Sequence, residues 1–254
     1  MSEIAARAGF APWIQYARAI PGADLVLICF PHAGGAASAY RGWITALGDH
    51  GIEVWPVQLP GREGRFGEPV ATDLSAVITE LADLLHASLA GRPYAICGHS
   101  AGAMMAYALA LGAATDGRPG PCHLFLGACR PLSRPDPDFP IHKLPRQAFL
   151  NRLFGYGRMP AEILDYPDLA ELTIATTRAD LRLVEAHRWS PGTLVHCPVT
   201  AYGGAADGTV PVETLADWHA ITTGTFDTIV LPGGHFPAPA AEQWLLEVIR
   251  RGCG

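Results

Sequence analysis

The sequence predicts an α/β fold, a mostly parallel sheet with helices on both faces and a helical segment inserted late in the chain. Three observations predict it. Continuous apolar runs, the pattern of strands buried on both faces, recur at residues 24–30, 52–57, 94–98, 123–128, 194–202 and 226–231. Stretches with helical apolar spacing separate the early runs, and strands alternating with helices specify parallel pairing. The alternation breaks after Arg130, where Pro131, Pro135, Pro137, Pro140 and Pro145 punctuate the chain before helical patches run on to about Trp189. That is too long for a plain connection.

Length and composition bound the rest. At 254 residues and 49% hydrophobic content, the chain can bury the core of one α/β domain, expected over residues 1–254 with the insertion at about 131–190. A net charge of −6 argues against general nucleic-acid binding. The start, Met1-Ser2-Glu3-Ile4-Ala5-Ala6-Arg7, has no apolar signal core, and no apolar run approaches a membrane span. The expectation is a soluble, cytoplasmic protein. The cysteines Cys29, Cys97, Cys122, Cys129, Cys197 and Cys253 form no CxxC pair. They read as reduced, buried small hydrophobes rather than disulfides or metal ligands.

The elements follow in order. The first strand, residues 24–30, ends in Pro31-His32-Ala33-Gly34-Gly35-Ala36, whose glycines let the backbone approach a ligand closely. The second strand, residues 52–57, leads into Gln58-Leu59-Pro60-Gly61-Arg62-Glu63. Arg62 has two open roles, orienting a substrate or partner and bridging to a nearby carboxylate. Leu74, Val77, Ile78, Leu81, Leu84, Leu85 and Leu89 recur at helical spacing over residues 73–89, with Thr72 or Asp73 as the cap. The third strand is backed by a helix over residues 103–111, and the fourth spans 123–128. Past the insertion lie the strand at 194–202, a helix carrying Trp218, the last strand at 226–231 and a closing helix over about 240–250.

Gly98-His99-Ser100-Ala101-Gly102 stands where the third strand meets its helix. This G-x-S-x-G is the sequence form of a nucleophile elbow, a turn tight enough to strain the serine's backbone and lift its Oγ clear of the sheet. A Cβ at either flanking glycine would collide with the neighbouring strand or helix. The N–H of Ala101, at the helix start, then points to where an oxyanion would form.

Acyl transfer by a serine needs a base and an acid that fixes the base's tautomer. In α/β-hydrolases they follow in the order Ser, Asp or Glu, His, each beyond a strand's carboxyl end. Here that order gives Ser100, Asp207 and His235. Asp207 sits on the glycine-rich loop over residues 203–211, and His235 in Pro232-Gly233-Gly234-His235-Phe236. The rivals are placed worse. His99 is on the elbow itself, His123 and His196 fall inside strand runs, and Asp227 opens a strand at its wrong end. The second oxyanion donor on this fold comes from a loop after an early strand. The N–H of Ala33 is the candidate, with His32 holding the loop's shape.

The first half of the insertion carries Arg130, Arg134, Lys143, Arg146, Arg152 and Arg158 against Asp136 and Asp138. It reads either as a docking face for an acidic partner or as a solvated helix surface.

These motifs together, with Arg178-Ala179-Asp180-Leu181-Arg182 in the insertion, closely resemble the type II thioesterases, the free-standing α/β-hydrolases that serve polyketide and nonribosomal peptide synthetases. The resemblance covers nearly the whole chain. One departure is Ala101, where that family often has methionine; the change alters the pocket wall and keeps the N–H. The resemblance implies hydrolysis of acyl groups from the phosphopantetheine arm of a carrier protein, clearing stalled or wrong chains. It implies no metal or redox cofactor, a helical lid over the serine, and an acidic carrier protein as partner. Programmed chain release, a small-molecule carboxylesterase with the same triad and an inert synthase partner stay open, and oligomeric state leaves no trace.

Overall fold

Among the described residues, six parallel strands form one sheet in the order β2-β1-β3-β4-β5-β6: β1 Leu25–Phe30, β2 Ile52–Pro56, β3 Tyr94–His99, β4 Leu124–Gly127, β5 Val199–Gly204 and β6 Phe226–Leu231. The protein is seen here as a computed structural model, which describes residues 12–157, 159–187 and 192–253. The continuous apolar runs have a direct cause in the layering. Along β1, Val26, Ile28 and Phe30 enter the larger core, while Leu25, Leu27 and Cys29 enter a second core on the opposite face. Both faces are covered, so neither parity of side chain meets water.

Helices α2 (Leu74–Leu89) and α3 (Ala101–Thr115) close the first face, and α1 (Arg41–Gly48) and α6 (Pro239–Gly252) close the second. Asp73 caps α2, its Oδ1 accepting from the N–H of Ser75 at 2.8 Å and of Ala76 at 3.4 Å. Because all the strands run one way, every strand-end loop named above emerges at the same rim.

Two elements and the burial of three cysteines differ from the sequence reading. The run at 194–202 becomes a strand only from Val199, and Val195 makes an isolated bridge to Thr222. Pro198, with no N–H to give a ladder, marks the boundary. The helix around Trp218 is a series of 3-10 turns, Val212–Ile221. Cys122 is exposed, and Cys129 and Cys253 are half-buried, so only Cys29, Cys97 and Cys197 are the buried small hydrophobes expected of all six.

Between β4 and β5 the chain leaves the sheet for α4 (Arg146–Gly155) and α5 (Pro167–Glu185), with 3-10 turns at Ile141–Lys143 and Ala161–Asp165. This insertion has its own small core of Ile141, Phe149, Leu150, Leu153, Ile174 and Leu181. Arg158 and the expected end of the insertion at 188–190 lie outside the described residues, as does the lead-in at 1–11. Among the described residues no helix is long and apolar enough to cross a membrane, and no group of three or more His, Cys, Asp or Glu could hold a metal ion.

Candidate active site

The elbow is strained as its sequence requires. Ser100 stands at φ +57°, ψ −121°, between the end of β3 and the start of α3. A Cβ on Gly98 would fall 2.1 Å from the Gly102 carbonyl oxygen, and one on Gly102 would fall 2.3 Å from that of Phe30. Those are backbone atoms that cannot step aside. The Ser100 N–H donates to the Gly127 carbonyl at 2.7 Å, tying the turn to β4. Ala101 opens α3, where an N–H has no intrahelical acceptor.

The loops after β5 and β6 meet beside it. The N–H of Ala205 donates to the Leu231 carbonyl and that of Ala206 to the Gly233 carbonyl, each at 2.8 Å. That stitching brings Asp207 Oδ2 within 2.8 Å of His235 Nδ1, with both side chains almost wholly buried. The other oxygen, Oδ1, accepts from the N–H of Thr209 at 2.8 Å, its hydroxyl at 2.6 Å and the N–H of Val210 at 3.2 Å. Burial pushes the Asp207 carboxyl up, but the His235 hydrogen bond and charge, with the Thr209 donors, outweigh it and hold the group at about 2. An ionised carboxylate only accepts, so the imidazole proton sits on Nδ1. The Thr209 hydroxyl, 3.1 Å from Nδ1, is spent as a donor on Asp207 and offers Nδ1 only a lone pair.

Both hydrogen-bonding neighbours of His235 are therefore at Nδ1, and Nε2 is the nitrogen available to the serine. Ser100 and His235 line the same two cavities. Among the described residues no hydrogen bond joins Ser100 Oγ to the ring, a spacing common in sites without substrate. The ring of Tyr156, from the end of α4, lies 4.4 Å from that of His235 at 33°.

The cavities, about 350 and 210 Å³, share Ser100, Tyr156, Leu181 and His235 as walls. The larger runs past Met104, Phe139 and Val184 to Arg130, Arg152 and Asp136. The smaller runs past Ala33 and Gly34 to Met159, Ile163 and Thr173. Ser100 and His235 belong to both cavities, with Ala101 on the wall of the larger and Ala33 on that of the smaller. That arrangement is equipped for acyl transfer.

The rival groups are otherwise occupied. His123 Nε2 pairs with Thr200 Oγ1 at 2.8 Å, and exposed His196 with Thr223 Oγ1 at 3.0 Å. His99 stacks on Phe236, with ring centroids 4.8 Å apart. Cys129 lines the larger cavity, but burial pushes its thiol up to about 12, far from a reactive thiolate. Arg62 takes the bridging role, paired with buried Asp180 of α5. Arg134 pairs with Asp217, Arg146 with Glu171, and Arg130 and Arg152 share Asp136. Each described arginine of the basic stretch thus has a carboxylate beside it, while Arg134 and Arg146 stay more than half exposed.

A family model described as a thioesterase domain matches residues 26–252. The chain belongs to the thioesterase family. Among curated relatives, this thioesterase is 34% identical over 240 residues to the linear gramicidin dehydrogenase LgrE of Brevibacillus parabrevis, covering 93% of this chain and 90% of that one. Among solved structures, RedJ, a thioesterase from the prodiginine biosynthetic pathway in Streptomyces coelicolor, superposes with TM-score 0.83 at 34% identity, over 91% of each chain. The type II thioesterase BorB from the borrelidin biosynthetic cluster gives TM-score 0.80 at 29% identity, over 95% of this chain and 96% of that one.

Two residues of the thioesterase site escape sequence reasoning. Thr209 carried a weak local signal, since a hydroxyl two residues after an aspartate commonly bonds back to it. Tyr156 carried none, because only the packing of the insertion brings it to His235.

Proposed function

We propose that this thioesterase hydrolyses acyl groups from the phosphopantetheine arm of a carrier protein in polyketide or nonribosomal peptide biosynthesis, clearing stalled or wrong chains. The observation that carries the reading is the meeting of two cavities at a strained serine faced by a buried Asp–His pair. A carrier-bound thioester has two arms to house, the acyl chain and the pantetheine, and two cavities lead away from Ser100. The pathway names of RedJ and BorB support the same substrate class.

In this mechanism His235 Nε2 takes the Ser100 proton as Oγ attacks the thioester carbonyl. The N–H groups of Ala33 and Ala101 hold the oxyanion. The pantetheine sulfur leaves with the proton from Nε2, and the acyl group stays as an ester on Oγ. Water, deprotonated by the same nitrogen, then attacks that ester and releases the acid and the free serine. Asp207 holds the ring and stabilises its charged form. The chemistry requires no metal or redox cofactor. The segment between β4 and β5 serves as the lid of a single catalytic domain, and the enzyme works in the cytoplasm beside its synthase.

The test is intact-mass tracking of carrier proteins loaded with different acyl groups. Unloading of several short chains supports clearing, and unloading of one full-length product would assign chain release instead. Ser100→Ala should lower turnover by about 10⁴-fold or more. Unchanged hydrolysis by that variant would remove the serine from the mechanism.

A further inference from the structure

The loop after β1, which carries Ala33, is held from outside, and one tie comes from α5. Asp180 Oδ2 accepts the Gly34 N–H at 2.8 Å. The same carboxylate takes the Arg62 guanidinium in a two-pronged pair, with Nη2 2.7 Å from Oδ1 and Nη1 on Oδ2. Arg62 Nη1 also donates to the Gly35 carbonyl at 3.1 Å. Arg62 is 7% exposed and Asp180 3%. Helix α5 lies hard against this backbone. Gly34 has φ +75°, and a Cβ there would stand 2.2 Å from Thr177 Oγ1.

The ties sort the loop's N–H groups. That of Gly34 goes to Asp180, that of Gly35 to the His32 carbonyl at 2.9 Å, and that of Ala37 to Gln58 Oε1 at 3.1 Å. Among the described residues the Ala33 N–H donates to no protein acceptor. A well-packed apolar pair could seat α5 at least as stably as a buried ion pair. It could not take the Gly34 N–H or donate to the Gly35 carbonyl. Those two bonds are what the charged pair adds.

We propose that Arg62 and Asp180 are positioning residues, which fix Gly34 and Gly35 so that the Ala33 N–H stays aimed at the oxyanion. The inference rests on the proposed roles of Ser100 and Ala33. Seating α5 then does more than close the cavities. It completes the oxyanion site, and an acyl carbonyl is activated only when the insertion is docked.

The experiment uses the full chain with a simple acyl thioester. An alkylboronic acid serves as the probe, since its tetrahedral serine adduct places an oxygen at the oxyanion position. Asp180→Asn keeps the shape and removes the charge. Arg62→Lys keeps the charge and loses the fork, and it carries the test if Asp180→Asn does not fold. Both should lower kcat by roughly 10²-fold with KM changed less than about threefold. Boronate affinity should fall by the same factor as kcat/KM. A merely structural role would lower the melting temperature without that parallel loss. A folded variant with parental kcat, or one whose kcat falls while boronate affinity holds, overturns the proposal. If Ser100→Ala retains hydrolysis, the reading of the site falls first and this inference with it; if Ser100→Ala is dead and Asp180→Asn is normal, this inference falls alone.

Discussion

The rim of the sheet and the segment inserted beside it are built on different terms. At the rim, Ser100, Asp207 and His235 hang from strands whose register is fixed by parallel ladders and whose side chains are buried on both faces. The insertion has a core of its own with six buried residues, and it leaves Phe139, Tyr166 and Leu169 more than half exposed. The rim fixes where the reacting groups stand. The insertion shapes the cavities that reach them, its Tyr156 ring lies against that of His235, and its Asp180 holds the Gly34 N–H of the loop beside them.

The largest test of this contrast is Asp207→Asn. It should keep the fold and cost about 10⁴-fold in kcat, because an amide no longer enforces the Nδ1-protonated tautomer. A loss below about tenfold would place the control of His235 elsewhere.

A pair of core truncations separates the two regions by stability. Leu126→Ala, in β4, should destabilise the whole chain by about 2–5 kcal/mol in a urea melt. Phe149→Ala, in the insertion's core, removes about 3–5 kcal/mol, but mainly from the local structure. Hydrogen exchange should quicken in α4 and α5 while β3 and β4 stay protected. Equal quickening in the sheet would show that the two regions unfold as one.

Acid gives a smaller effect. The Asp207 carboxyl lies at about 2 when folded, below its ordinary 3.8. A lowered folded value means that the carboxylate's stabilisation is present above about pH 4 and is lost as pH falls toward 2. It is worth about 2 kcal/mol, and a chain carrying Asp207→Asn should show a correspondingly flatter stability profile between pH 4 and 2. Smallest is Tyr156→Phe, which keeps the ring over His235 and loses the Arg152 hydrogen bond to its hydroxyl at 3.3 Å. KM should shift by about threefold or less, whereas Tyr156→Ala should raise it further by removing a wall that both cavities share.

The same contrast explains what the sequence made legible. The strands were readable because two-sided burial leaves continuous apolar runs. The elbow was readable because its strain demands glycines at fixed offsets, and Asp207 and His235 because parallel strands deliver their loops to one rim. The insertion's contacts were not, because they join residues distant in the chain. Arg62 finds Asp180 118 residues away, and no local pattern chooses between a bridge and a substrate contact. Nor does any local pattern mark Asp136, Asp217 and Glu171 as standing beside four of the arginines at residues 130–158, where a docking face and a solvated surface are both open readings. Tyr156 shows the limit most clearly: nothing around it in sequence marks a ring that will lie on the imidazole.

The central claim, that the serine on the elbow carries the acyl group between the two half-reactions, is tested most directly by rapid quenching with a slowly turned-over acyl thioester and peptide mapping of the product. The adduct should sit on Ser100 and should vanish with His235→Ala. An adduct on Cys129, or turnover with no adduct at residue 100 under any quench time, would contradict the account.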